Sequence, residues 1–212
     1  MKVIVFGATG KIGRAIVERA LEKGHEVTAF VREPSKMTLG NEAVSVEDRL
    51  RIVGGDVFDF SAVKQAMSGQ EAVICALGSN SLAKTTVRGE GTSNIVLAMK
   101  EEHVDRLLVV SAMGTGESWS SLSFTNKLIY ATILRSSRRD HEAQEAVVKK
   151  SNLNWTIVRP SGLTEGEPSG NYVIGENIQS ESSQIACADV AHALVKELDE
   201  DAFVRMAVTI TN

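Results

Sequence analysis

The sequence predicts a single α/β domain built on a doubly wound, parallel β-sheet flanked by helices. Short runs rich in valine, isoleucine and leucine alternate along the 212 residues with longer segments whose apolar residues recur every three or four positions. The runs are typical of strands buried on both faces, and the segments are typical of amphipathic helices. Because regular alternation of strand and helix requires right-handed helical crossovers between parallel strands, it predicts the doubly wound arrangement.

Seven runs predict the strands: VIVF (3–6), EVTAFV (26–31), LRIVGGD (50–56), AVICALG (72–78), RLLVVSAMG (106–114), WTIVRP (155–160) and VRMAVTI (204–210). Five segments predict the helices: residues 14–24, 60–69, 92–103, 125–151 and 188–200. Four irregular stretches are longer than typical connections: residues 33–49, 79–89, 115–124 and 161–187. We expect one domain over residues 1–212, with the last three stretches as substrate loops, since ligands bind beyond the carboxyl ends of such strands.

Charge, hydropathy and cysteine content exclude several classes of function. The net charge is −4 and the pI is near 5.7, so a nucleic-acid backbone would be repelled and we expect no nucleic-acid partner. No apolar stretch reaches the roughly 20 residues of a membrane span and no signal peptide is evident, which favours a cytoplasmic protein without a membrane partner. Cys75 and Cys187 are far apart, and no histidines have metal-ligand spacing, so we expect core cysteines and no metal site.

Three glycines spaced three apart lie between the first strand and the first helix, in GATGKIG (7–13). The first glycine permits a tight turn, the second lets a pyrophosphate approach backbone N–H groups, and the third lets helix and strand pack closely. The strand, helix and second strand around the motif are the context in which it binds a dinucleotide. The predicted cradle comprises Gly7, Thr9, Gly10, Lys11, Ile12 and Gly13.

The end of the second predicted strand indicates which dinucleotide binds. Sites that prefer NAD place a carboxylate there, whereas this sequence has Arg32, and Glu33 only afterwards. A guanidinium can hold the 2′-phosphate of NADPH through charge-assisted hydrogen bonds, and Ser35 and Lys36 could add donors. We therefore expect NADPH to bind in preference to NADH. The alternative is that Arg32 is a solvated surface arginine.

Further motifs follow the predicted strands: Val31-Arg32, GDV (55–57), ALGS (76–79), TTVRGEGTSNIVLAMK (85–100), VVSAMG (109–114) and IVRPSGLTEGEPSG (157–170). Together with GATGKIG, they resemble the atypical short-chain dehydrogenase/reductase superfamily, and within it the NAD(P)H-binding proteins similar to biliverdin IXβ reductase, also called flavin reductase. The resemblance covers nearly the whole chain and implies a Rossmann-like fold and an NAD(P)H-dependent oxidoreductase. It also implies cofactor contacts by Asp56 and Val57 at the adenine, by Leu77 and Gly78 along the ribose and pyrophosphate, and by Ser111, Ala112, Met113, Pro160 and Ser161 beneath the nicotinamide.

One expected catalytic motif is absent. Typical short-chain dehydrogenases use a tyrosine followed four residues later by a lysine, YxxxK, in which the phenol serves as an acid. Here Tyr130 is followed by Leu134, and Tyr172 is followed by Glu176. Two candidate catalytic groups are left, Ser111 and His141. The Asp140-His141 pair matches a family position, and His141 is either a cofactor contact or proton relay or a histidine on a solvated helix face.

A conjugated acceptor such as a flavin, a quinone or a tetrapyrrole needs no phenolic acid. It delocalises the charge of the incoming hydride and takes its proton from solvent, so the protein mainly stacks it against the nicotinamide. We therefore interpret the chain as an NADPH-dependent reductase of a small conjugated acceptor. Biliverdin IXβ reductases have a histidine soon after the proline that corresponds to Pro160, whereas Ser161 and Gly162 follow it here, which disfavours tetrapyrroles.

Two other functions remain open. One is a non-catalytic NADP(H)-binding redox sensor similar to NmrA-like regulators, with which the missing YxxxK is equally compatible. The other is a nucleotide-sugar epimerase or dehydratase, which usually carries YxxxK and a larger substrate domain. Arg135, Arg138 and Arg139 form a basic run that is either a solvated helix face or a surface that attracts an anionic substrate. We expect a monomer or a small homo-oligomer.

Overall fold

A computed structural model describes residues 1–38, 47–78, 85–121, 135–176, 178 and 184–212. The described residues form ten strands: β1 Lys2–Phe6, β2 Glu26–Val31, β3 Leu50–Gly54, β4 Ala72–Cys75, β5 Arg106–Val110, β6 Asn154–Pro160, β7 Gly162–Thr164, β8 Val173–Gly175, β9 Gln184–Ala186 and β10 Met206–Thr211. They also form five α-helices: α1 Lys11–Glu22, α2 Phe60–Met67, α3 Val87–Glu101, α4 Arg135–Lys149 and α5 Cys187–Glu200.

The strand order confirms the predicted doubly wound fold. Eight strands form one sheet in the order β3-β2-β1-β4-β5-β6-β10-β8, and β7 pairs with β9 in a separate sheet of two strands. β1 lies parallel to both β2 and β4, so the chain leaves β1 in one direction for β2 and β3 and in the other for β4 and β5. The reversal between β1 and β4 is the topological switch point at which folds of this class bind ligands.

The predicted loop over residues 161–187 is wrong in part, because β7, β8 and β9 lie within it. β8 joins the main sheet antiparallel to β10, with Ile174 opposite Ile210, so the sheet is not wholly parallel. Each of these strands has three residues. Runs this short show no periodicity that would separate them from a loop.

Three predicted strands, residues 50–56, 72–78 and 106–114, end early, at Gly54, Cys75 and Val110. Burial continues past these ends, since Leu77 and Met113 are both 8% exposed. Apolar residues therefore line the carboxyl edge of the sheet beyond its ladder, and hydrophobic pattern cannot mark where pairing stops. β3 also differs from the prediction of burial on both faces: it is an edge strand, and Ile52 is 41% exposed.

Helix α3 begins at Val87, whereas the pattern predicts a start at residue 92 and a loop over 79–89. Gly89 and Gly91 have low helix propensity and make the first turns resemble a loop. Packing explains their presence, since a Cβ on Gly91 would lie 2.9 Å from Cδ1 of Leu77, and one on Gly89 would lie 3.0 Å from Cβ of Ala143. Residues 79–84 of that loop, residues 122–124 of the loop 115–124, and the first ten residues of the predicted helix 125–151 lie outside the described residues.

The sheet divides the hydrophobic core into two layers. On one face, Val3 and Val5 of β1 pack with apolar residues of α1 and α5. On the other face, Ile4 and Phe6 of the same strand pack with apolar residues of α2 and α3. Successive side chains of a strand point to opposite faces, so the uninterrupted apolar run of β1 fills both layers.

Close backbone contacts hold the turn between β1 and α1. Gly7 has φ of +81°, and a Cβ there would lie 2.3 Å from the carbonyl oxygen of Ala76, just after β4. A Cβ on Gly13 would lie 2.2 Å from the carbonyl oxygen of Gly7. The first glycine therefore permits the turn and the third permits the helix to pack against it, as the motif predicts.

The substitution Gly13→Ala should lower the free energy of unfolding by about 2–3 kcal/mol, because backbone atoms must move to accommodate the methyl group. Urea unfolding followed by circular dichroism measures this change. Gly10→Ala is the matched control, since a Cβ there would meet only the Gly7 carbonyl oxygen, at 3.3 Å, and it should cost about 1 kcal/mol or less. Equal losses in the two variants would show that the contact at Gly13 does not hold the turn.

Candidate functional site

The first turn of α1 presents backbone donors at the switch point. Gly10 is the N-cap residue, is exposed, and makes no side-chain cap hydrogen bond. Its own N–H donates to the Gly7 carbonyl at 3.0 Å, while the N–H groups at the start of a helix have no intrahelical acceptor. Thr9 is half-buried in the turn, and the Ile12 side chain lies in the core, so Ile12 can offer a ligand only its backbone. This arrangement can hold a phosphate.

An ion pair lies beside the glycine turn. The ammonium of Lys11 contacts the carboxylate of Glu165, which follows β7 in the chain, and both side chains are largely exposed. The hydrogen bond from Lys11 lowers the pKa of Glu165. The segment after β7 therefore passes close to the predicted phosphate position and places a carboxylate there.

The end of β2 presents an exposed cation on the other side of the switch point. Among the described residues, the Arg32 side chain has no hydrogen-bond or salt-bridge partner. Lys36 is paired with Glu33 at 2.8 Å, and its backbone carbonyl accepts a hydrogen bond from Arg14 of α1 at 2.9 Å. Arg32 is therefore free to contact a ligand, whereas the Lys36 ammonium already has a counterion.

The family resemblance assigns four residues to the adenosine half of the cofactor, and these lie just beyond the ends of β3 and β4. Asp56 is exposed, and its carboxylate accepts the N–H of Phe58 at 3.0 Å. Val57 and Leu77 are buried and both lie against Gly91 of α3. Gly78 is exposed at the carboxyl end of β4. Buried apolar side chains and exposed polar groups therefore lie side by side along the carboxyl edge of the sheet.

The family resemblance assigns five residues to the nicotinamide half of the cofactor, and the fold brings them together at the ends of β5 and β6. The N–H of Ser111 donates to Val158 at 2.8 Å, and the N–H of Met113 donates to Pro160 at 3.0 Å. Ala112 lies between them and is half-buried. The hydroxyl oxygen of Ser161 is buried and has no hydrogen-bond partner among the described residues. The two strand ends thus form one surface, as their positions in the sequence imply.

A buried ionic network lies beneath this surface. Ser111 donates its hydroxyl proton to Glu145 of α4 at 2.8 Å. Arg159 of β6 donates to both oxygens of the same carboxylate, at 2.8 and 2.6 Å, and Glu145 and Arg159 are each 3% exposed. Sequence reasoning does not single out these two residues. The signal that could have identified Arg159 is its position inside the apolar run WTIVRP, because a charged side chain is rarely buried without a partner.

The network also fastens the loop after β5. Glu117 lies in the short helix Gly116–Ser121, and its carboxylate accepts from Arg159 at 2.7 Å and from Lys149 at 3.2 Å. The Arg159 hydrogen bond is the main reason that the pKa of Glu117 falls to about 2. The start of the predicted substrate loop 115–124 is therefore tied to β6 and α4.

His141 is buried in α4 and does not lie on a solvated helix face. Burial, together with the positive charge of nearby Arg88, lowers the pKa of His141 to about 3. Its Nδ1 atom is buried without a hydrogen-bond partner among the described residues. The imidazole is therefore neutral near pH 7, which makes it a poor proton donor.

The one tyrosine within the described residues lies away from this surface. The hydroxyl of Tyr172 is 2.8 Å from Nδ1 of His192 on α5, and its ring packs against the core layer opposite α4. Tyr130 lies outside the described residues. The described residues contain no group of three His, Cys, Asp or Glu side chains suited to a metal ion. Their helices also include none with the length and hydropathy of a membrane span.

The buried neutral state of His141 predicts a pH-dependent stability. The unfolded chain binds a proton near pH 6.5 that the folded chain does not bind until about pH 3, so stability falls as the pH drops below 6.5. Between pH 7 and pH 5 this linkage costs about 2 kcal/mol, and His141→Gln should lose that much less than the unmodified protein. Urea unfolding at both pH values measures the difference. His103→Asn, at an exposed site, is the control, and equal pH dependence in His141→Gln and the unmodified protein would contradict the assignment.

Comparison with known proteins identifies relatives along most of the chain. A family model described as NAD(P)H-binding matches residues 7–201. An uncharacterised chloroplastic protein of Arabidopsis thaliana is 31% identical over 179 residues, which are 82% of this chain and 63% of that protein. The uncharacterised protein YwnB of Bacillus subtilis is 28% identical over 213 residues, covering 94% of this chain and 92% of YwnB. The chain thus spans less than two thirds of the Arabidopsis relative and nearly all of the bacterial one.

A solved structure agrees with both the fold and the family. SP1627 of Streptococcus pneumoniae, described as a candidate NADH-flavin reductase, superposes with a TM-score of 0.79 and 26% identity over 99% of this chain and 98% of its own. The family model covers the glycine turn, α3, the ends of β5 and β6 and all of α5. The chain therefore belongs to the NAD(P)H-binding family and has a Rossmann fold.

Proposed function

We propose that the protein is an NADPH-dependent reductase that transfers hydride to a conjugated acceptor such as a flavin or a quinone. The observation that carries the proposal is the glycine turn at the switch point, where Gly10 leaves the first turn of α1 without a side-chain cap. Such a turn attracts a phosphate through its N–H groups and the helix dipole. Membership of the NAD(P)H-binding family supports a dinucleotide diphosphate in this position.

The proposed cofactor residues follow the carboxyl edge of the sheet from β2 to β6. Arg32 would bind the 2′-phosphate, Asp56 and Val57 would bind the adenine, and Leu77 and Gly78 would line the ribose. The N–H groups of Lys11, Ile12 and Gly13 would bind the diphosphate, and Gly10 would let it approach without a Cβ in the way. The surface of Ser111, Ala112, Met113, Pro160 and Ser161 would support the nicotinamide ring, and the bound NADPH would supply the hydride.

The polar groups of the site favour an acceptor that needs no protein acid. Ser111 donates its proton to Glu145, which Arg159 keeps paired, so the serine oxygen is left with lone pairs to accept a hydrogen bond. His141 is neutral, and Tyr172 is engaged elsewhere. A conjugated acceptor delocalises the hydride charge and can take its proton from solvent. Ser111 would then orient a bound N–H group and leave proton donation to solvent.

The name of SP1627 supports the flavin class, because that protein resembles this chain over nearly the full length of both. Its name specifies NADH, whereas Arg32 favours NADPH here. Cytoplasmic localisation and the oligomeric state stay predictions, and the Arabidopsis relative is described as chloroplastic.

Turnover is the direct test of the proposal. Purified protein mixed with NADPH and FMN, riboflavin or a quinone should oxidise the nicotinamide at least tenfold faster than the protein-free mixture, followed at 340 nm. Gly10→Ala is the control: if the turn binds the diphosphate, the added methyl group should lower turnover, while the fold is kept because a Cβ there would meet only the Gly7 carbonyl oxygen. NADPH binding without turnover on any acceptor would favour the sensor of NmrA type, and no binding of either nucleotide would remove the proposal.

Arg32 is expected to determine the preference between the two nucleotides. Arg32→Gln should lower kcat/KM for NADPH about tenfold or more and leave that for NADH within about twofold, because only NADPH carries the 2′-phosphate. Steady-state kinetics with both nucleotides measure the ratio. Arg51→Gln, which removes an exposed arginine of β3, should leave the ratio unchanged. A ratio that Arg32→Gln does not move would make Arg32 a solvated surface residue.

A further inference from the structure

Arg88, in the first turn of α3, is a buried cation that is only partly neutralised. Its side chain is 10% exposed, and its closest carboxylate, that of Asp140 on α4, lies 3.4 Å from Nη1. The Nε atom of Arg88 is buried and has no hydrogen-bond partner among the described residues. Desolvated charges are normally paired at short distances, with their donors satisfied. The guanidinium therefore has donor capacity that the described residues do not use.

Asp140 is not a dedicated counterion for Arg88. Its carboxylate also accepts the backbone N–H groups of Arg88 and Gly89, at 3.2 and 3.0 Å, and so caps the N-terminus of α3. One negative charge thus faces both a guanidinium and the positive end of a helix dipole. His141, the next residue of α4, is a neutral imidazole and so does not balance the charge of Arg88, and its own Nδ1 lacks a partner among the described residues. The charge of Arg88 is therefore not fully balanced within the described part of this cluster, and a further anion would balance it.

The cluster borders the site at the carboxyl end of β4. A Cβ on Gly78 would lie 4.0 Å from Nη2 of Arg88, which places the guanidinium beside the exposed residue that follows this strand. His141 and Glu145 are one helical turn apart on α4, and Glu145 binds Ser111 at the end of β5. Arg88 therefore lies on the same side of the switch point as Ser111, away from Arg32 at the end of β2.

We propose that Arg88 binds an anionic group of the acceptor, a phosphate or a carboxylate, an assignment that rests on the proposed reductase function. Nη2, which lies beside the exposed Gly78, offers the donors, and the buried position holds the side chain in place, so little rotamer entropy is lost on binding. The exposed basic run on α4 is less suited to this role. Arg138 there is paired with Glu142 at 3.2 Å. Arg135 and Arg139 are exposed, so their side chains would lose more rotamer entropy on binding an anion.

FMN and riboflavin test this proposal, because they share the isoalloxazine ring and differ in one phosphate. Flavin fluorescence is titrated with protein saturated with NADP⁺, which measures binding without turnover. The unmodified protein should bind FMN at least tenfold more tightly than riboflavin. Arg88→Gln should bring the two dissociation constants within about twofold of each other by weakening FMN alone, and Arg88→Lys should retain part of the preference. Arg135→Gln is the matched control and should keep the full preference.

Other outcomes overturn the assignment. Equal weakening of FMN and riboflavin in Arg88→Gln would give Arg88 a structural role between α3 and α4. Weaker binding of NADP⁺ alone, with the FMN preference kept, would assign the anion to the cofactor. If neither flavin binds, the flavin class of the proposed function fails, and titration of inorganic phosphate then decides the Arg88 site. Phosphate should raise the Tm of the NADP⁺-saturated protein by more than it raises that of Arg88→Gln, and equal shifts would exclude an anion site at Arg88.

Discussion

The close approach of three backbone segments, the end of β1, the start of α1 and the end of β4, determines how the site is built. Gly7, Gly13 and the carbonyl of Ala76 meet at distances that leave no space for a Cβ on either glycine. β1, the first turn of α1 and the end of β4 are therefore held together at the point where the strand order reverses. The first N–H groups of α1 are fixed beside the ends of β4 and β2, so the proposed phosphate site and the strand ends on either side of it depend on one contact.

The two faces of the sheet contribute differently to that cleft. The layer formed with α1 and α5 is apolar near β1 and gives the sheet a rigid support. The layer on the other face carries buried polar residues of α4: Gln144 donates to Cys75 at the end of β4, Glu145 accepts from Ser111 after β5, and Asp140 caps the start of α3. Burying such polar groups costs free energy unless they are paired. The hydrogen bonds of these α4 residues therefore favour one arrangement of the strand ends. Arg88 and His141 belong to the same cluster, and each keeps a buried nitrogen atom without a hydrogen-bond partner among the described residues.

Motifs that act through the backbone could be predicted from the sequence. The glycine spacing identifies the turn because no other residue fits its φ or its contacts, and the ends of apolar runs place Arg32, Gly78 and Ser111 at one edge. The start of α3 could not be predicted in this way. Gly89 and Gly91 weaken the local helix signal. Their lack of a side chain permits close packing against Ala143, Leu77 and Val57, which are distant in the sequence. The same limit applies to the three-residue strands β7, β8 and β9.

The doubly wound fold, the glycine turn and the order of the strand-end residues along the carboxyl edge of the sheet depend on periodicity and on local backbone freedom, so the amino-acid sequence alone specifies them. The polar side chains differ, because their pairing is visible only in the folded protein. Ser111 donates to a glutamate that is 34 residues away in the chain, His141 is buried and neutral, and Arg88 shares a carboxylate that is 52 residues away. Protonation and pairing depend on which groups are desolvated together, and that is set by the packing of helices on the sheet and not by the order of residues.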